Sequence, residues 1–104
     1  MDRFTEAWIY ERIASSVKTF EGVVTDIKNN HILWSEIAGV RTDGSEILCE
    51  DEETAEYVAD TIENLCKDED GDNYLICTGY YDPEEDMRDG CVDSYTDWWY
   101  VDIA

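Results

Sequence analysis

The sequence predicts a single α+β domain over residues 1–104, with the order α-β-β-β-α-β-β and an antiparallel sheet whose helices pack on one face. Three observations carry this expectation. Two segments place apolar residues at helical spacing, and several short runs between turn residues have the alternation or β-branched content of strands. The length suits one domain, and 43% hydrophobic residues, including four Trp, seven Tyr and two Phe, supply one real core.

Residues 4–20, FTEAWIYERIASSVKTF, place Phe4, Trp8, Ile9, Ile13, Val17 and Phe20 at spacings near three and four, which predicts an amphipathic helix with Thr5 as cap and Gly22 as stop. GVVTDIK, residues 22–28, alternates Val23, Thr25 and Ile27 with Val24, Asp26 and Lys28. It reads as a first strand ending in the Asn29-Asn30 turn, although a continuing helix or an irregular loop also accommodates it. HILWSEIAGVRT and SEILCE, joined through Asp43-Gly44, read as a hairpin. A second helix opens at Asp51 or Glu52, where acids suit the positive end of the helix dipole, and closes at Lys67. DEDGDN then turns the chain into the strand YLICTGYY, and WWYVDI forms the last strand. Between these two strands lies a long connection, residues 82–97, which holds the only proline.

The charge is large and unevenly placed. The chain carries 27 Asp+Glu against 7 Lys+Arg, a formal charge of −20, whereas a magnitude of about 2 to 8 suffices for the solubility of a small domain. Residues 1–48 contribute −3 and residues 49–104 contribute −17, with only Lys67 and Arg88 as bases in the second segment. Such an excess argues against direct binding to nucleic acid or to an anionic membrane, and it selects a basic partner.

Other functional classes find little support. Cys49, Cys66, Cys77 and Cys91 show no CxxC and no nearby histidine pair, which is poor zinc spacing. Neither KDEDGDNY nor YYDPEEDMRDGCVD has the ligand frame of a calcium loop: Gly71 follows Asp68 too soon, and no Glu closes the frame. His31, the only histidine, follows a turn, where an exposed or hydrogen-bonded imidazole is the common outcome. No phosphate-binding glycine loop or nucleophile–base pattern is present, so neither catalysis, a cofactor nor a metal is expected. Without a basic N-terminal region leading into an apolar stretch, or any apolar run of spanning length, a cytoplasmic protein with reduced thiols is expected.

The segment EDEETAEYVADTIE, residues 50–63, is the strongest signal. A step of about 100° per residue gathers Glu52, Glu53, Glu56, Asp60 and Glu63 on one side of a helix, opposite the apolar stripe Ala55, Val58, Ala59, Ile62, Leu65 and Cys66. A merely solvated face normally mixes signs, because like charges at i,i+4 cost about 0.2–0.5 kcal/mol per pair. Here no base intervenes before Lys67. Four residues of helix rise about 6 Å, an interval comparable to the separation of neighbouring phosphates on a nucleic-acid strand.

The connection adds Asp82, Glu84, Glu85, Asp86, Asp89 and Asp93. On the last two strands Tyr74, Tyr80, Trp98 and Tyr100 stand at alternating positions, with Leu75, Cys77, Trp99, Val101 and Ile103 at the others. If the tyrosine set is exposed, aromatic rings flanked by carboxylates have the make-up of interface anchors; rings covering the edge of the core are the plainer alternative.

The acidic rows EDEETAEYVADTIE and DPEEDMRD, with the aromatic WWY strand, resemble the DNA-mimic inhibitors of phages and mobile elements, including anti-CRISPR and anti-restriction proteins. The resemblance is one of type, resting on charge and aromatic content over residues 49–104 rather than on an aligned motif. It implies stoichiometric inhibition, in which the acidic face docks into the basic channel of a nuclease or CRISPR effector and excludes its nucleic acid. The partner-binding set is then Glu52, Glu53, Glu56, Asp60 and Glu63, with Asp82, Glu84, Glu85, Asp86 and Asp89 as a second contact and Tyr80 and Trp98 as anchors. An immunity protein or antitoxin neutralising a basic toxin needs the same features. An acidic regulatory module is a third reading.

Overall fold

A computed structural model describes residues 1–81 and 98–104. Helix α1 spans Arg3–Ser16, α2 Phe20–Asn29 and α4 Glu52–Leu65, with a short α3, His31–Leu33, running into a π-helical turn at Trp34–Ala38. Four strands, β1 Val40–Asp43, β2 Glu46–Cys49, β3 Ile76–Tyr80 and β4 Trp99–Ile103, form one antiparallel sheet in the order β1-β2-β4-β3. The α+β class therefore stands, with the helices on one face of the sheet.

Residues 22–28 are not a strand. They form the body of α2, and the helical path continues through Trp34–Ala38, so extended structure starts only at Val40. The alternation of Val23, Thr25 and Ile27 masked a better match: Phe20, Val23, Val24 and Ile27 stand at i, i+3, i+4 and i+7, and all four are buried. Thr19 caps this helix by accepting from the Gly22 N–H at 2.9 Å. Gly22 thus lies inside α2 rather than stopping α1. Helix α1 ends at Ser16 because Val17 is extended, and its cap is Asp2, which accepts from the Thr5 N–H at 2.7 Å, rather than Thr5.

One carboxylate ties these helices together. Asp26 on α2 accepts from Arg12 Nε at 2.9 Å and Arg12 Nη2 at 3.1 Å, from Asn30 Nδ2 at 3.1 Å and from the buried Trp34 Nε1 at 3.3 Å. Trp34 is fully enclosed and meets the Trp8 ring edge-on, with centroids 4.7 Å apart. The turn after Ala38 needs Gly39 at φ 66°, where Glu50 lies against it and donates its N–H to the Gly39 carbonyl at 3.0 Å.

The sheet's helix-facing side carries Val40, Ile47, Cys49 and Val101, all buried against Ile9, Ile13, Val23, Ile27, Val58 and Ile62. Leu48 has the opposite parity and is also buried, with Arg41 and Tyr100 as its register partners on the far face. There the Tyr100 ring lies across Gly79, and a Cβ at position 79 would come too close to that ring's Cζ and hydroxyl oxygen to be accommodated. Tyr81 packs beside Tyr100, ring centroids 5.1 Å apart, and its hydroxyl donates to the Glu46 carboxylate at 2.6 Å. Cys49, Cys66 and Cys77 are free thiols, and burial pushes Cys49 and Cys66 above the usual thiol pKa.

Candidate partner-binding face

Helix α4 is set by its apolar stripe. Ala55, Val58, Ala59 and Ile62 are buried against α1 and strands β2, β3 and β4, so the opposite stripe must face water. Asp51 caps its first turn, accepting from the Thr54 N–H at 2.7 Å. The helix ends at Leu65; Lys67 lies beyond it, with Nζ bonded to Asn73 Oδ1 and its N–H donating to the Lys18 carbonyl at 2.9 Å. The closing role expected of Lys67 at the helix terminus therefore does not occur, and the last turn carries no base.

The five acids expected on one stripe are on one stripe, but they divide into two kinds. Glu52, Glu56 and Asp60 are exposed and make no hydrogen bond or ion pair among the described residues. Glu53, also exposed, pairs with the Met1 amine, which that hydrogen bond holds above its ordinary pKa. Glu63 is half-buried, and its Oε1 accepts the Ile76 N–H at 3.0 Å, which pins the end of α4 to the start of β3. A groove of ≈ 270 Å³ runs between the helix and this strand, lined by Glu56, Ala59, Asp60, Glu63, Ile76 and Thr78.

The aromatic expectation needs correction. In the β3–β4 register Tyr80 opposes Trp99 and Ile76 opposes Ile103, so even residues of β3 share a face with odd residues of β4. Tyr74 and Tyr80 therefore lie on the helix side, where Tyr74 packs against Phe20 and Tyr80 against Trp99 at 5.0 Å between centroids. Trp98 and Tyr100 lie on the far side, where the Arg41 guanidinium sits 5.6 Å from the Trp98 ring centroid. Tyr80 and Trp98 are not anchors of one patch. Only Tyr80, 45% exposed on the strand beneath α4, shares the acidic side.

Asp82, Glu84, Glu85, Asp86, Asp89 and Asp93 lie outside the described residues. His31 is exposed in the short α3 and takes no part in the acidic face. In the DEDGDN turn Asp68 Oδ1 accepts from the Asp70 and Asp72 N–H groups at 2.9 and 3.0 Å. Among the described residues no group of three or more His, Cys, Asp and Glu is placed to hold a metal ion, and no helix is long and apolar enough to cross a membrane.

The groove walls Ile76 and Thr78 were not legible as site residues. The sequence marks them as strand, but only the strand order places β3 beside α4 and, among the described residues, at the edge of the sheet. Comparison of the chain with protein-family models, curated proteins and solved structures finds no match.

Proposed function

We propose that this protein is a nucleic-acid-mimicking inhibitor whose α4 face enters the basic channel of a nuclease or CRISPR effector and blocks substrate binding. The observation that carries the reading is the row Glu52, Glu56 and Asp60. These acids recur every four residues, about 6 Å apart along the axis, exposed and without a partner among the described residues.

A nucleic-acid channel offers arginines and lysines spaced to meet phosphates, and a regular row of carboxylates can satisfy them in the same places. Charge-assisted hydrogen bonds to carboxylate are the strong ones, and Arg takes carboxylate and phosphate with the same planar fork. The −17 carried by residues 49–104 adds long-range steering, which makes association fast and sensitive to salt. The same charge repels nucleic acid itself, so the inhibitor acts on the protein and leaves the substrate untouched.

The test is capture from host lysate on the immobilised protein, with salt-gradient elution, run beside the double variant Glu56→Lys, Asp60→Lys. The expected catch is a nucleic-acid-binding enzyme that elutes at moderate salt, is missed by the variant, and loses nucleic-acid binding in proportion to added protein. Identical catches by both proteins would refute the mimicry.

A further inference from the structure

The register of β3 decides which of its backbone groups look outward. Tyr81 N–H donates to the Trp98 carbonyl at 3.0 Å and Ala104 N–H to the Leu75 carbonyl at 2.8 Å, so the odd-numbered residues of this segment exchange ladder bonds with β4. The N–H and C=O of Ile76 and Thr78 then point away from β4, toward the rim of the sheet. The Ile76 N–H reaches the Glu63 carboxylate on that side, as this geometry requires. Thr78 is exposed, and among the described residues no strand pairs with β3 there.

We propose that this rim receives an extended, arginine- or lysine-bearing segment of the partner as an added strand, with Thr78 supplying main-chain hydrogen bonds and Glu56 and Asp60 taking the basic side chains. The proposal rests on the reading of α4 as the partner-binding face and adds how the partner is held. In an added strand, side chains alternate, so every second residue projects to the side where α4 overhangs the groove. Main-chain pairing supplies affinity and the alternate side chains supply selection. Charge chooses the occupant. A second copy of this chain would bring its own Glu56, Asp60 and Glu63 to the same seam, and like charges set side by side oppose that pairing. A basic strand meets complementary charge.

The test uses the full chain and two synthetic peptides of equal charge: one alternating Arg with Val, the other with its central valines replaced by proline so that it cannot form a strand. Calorimetric titration at low salt should show the alternating peptide binding roughly tenfold more tightly, the worth of one or two net hydrogen bonds. Thr78→Pro should erase that difference while leaving the thermal melt near wild type, because the lost N–H faces away from the ladder. Exchange of the Thr78 amide in the wild-type protein should slow when the alternating peptide is added, a readout that needs no variant. Equal affinity for the two peptides, or a Thr78 amide that exchanges as before, overturns the added strand. If that binding is also lost in Glu56→Lys, Asp60→Lys, the acidic-face reading survives and only the strand pairing falls.

Discussion

Asp26 and Asp60 are both carboxylates on helices of one small domain, and their surroundings are opposite. Asp26 collects donors from Arg12, Asn30 and Trp34 and is mostly enclosed. Asp60 stands exposed in line with Glu52 and Glu56, and among the described residues none of the three is given a donor. Where the fold needs an acid, the chain brings it a guanidinium and N–H groups from three residues spread over positions 12–34. Along α4 it sets acid beside acid, which costs helix stability and brings those three acids no donor among the described residues. The contrast is the reason the α4 row, and not Asp26, carries the proposed function.

The hub should break first. Asp26→Ala leaves the Arg12 guanidinium and the buried Trp34 Nε1 without their acceptor, and the expected loss is about 2–3 kcal/mol, read as a lower urea midpoint with an unchanged slope. Gly79→Val, on the far face of the sheet, drives a side chain into the Tyr100 ring. Overpacking of this kind costs about 1–3 kcal/mol, so the thermal midpoint should fall while the binding proposed for the α4 face is kept.

Reversing charge on α4 should do the opposite of both. Glu56→Lys converts its repulsion with Glu52 and Asp60 into attraction and should stabilise the monomer by about 0.5–1 kcal/mol. Raising the salt concentration should stabilise the wild type in the same direction by screening the row. If Glu56→Lys melts below wild type, the acid has a structural duty and the contrast with Asp26 collapses.

The smallest effect concerns acid pH. The Thr5 N–H holds the Asp2 carboxyl below its ordinary pKa of 3.8. Its contribution to stability is therefore complete above that value and is lost as the pH falls through the lower folded-state pKa. Asp2→Asn keeps a capping oxygen and should flatten this acid limb, which denaturation at neutral and acidic pH would measure.

Much of this architecture is readable from local pattern. The stripe Ala55, Val58, Ala59 and Ile62 faces the core, and Asp43-Gly44 turns a hairpin whose Gly44 takes φ 60°. Residues 22–28 misled because a seven-residue window holds alternate apolar residues as easily as it holds half of a helical stripe. Including Phe20 removes the ambiguity. The aromatic assignment failed for another reason: parity along one strand says nothing about parity along its neighbour until the register pairs Tyr80 with Trp99.

By itself the sequence determined that α4 is amphipathic and that its polar stripe is anionic, since a 100° step and the identities of five residues suffice. Tertiary structure decided which of those acids remain available, by bringing the Met1 amine to Glu53 and the Ile76 N–H to Glu63. Among the described residues it also placed β3 at the rim beside the row, because strand order arises from contacts between segments far apart in the chain, and no local window contains both partners.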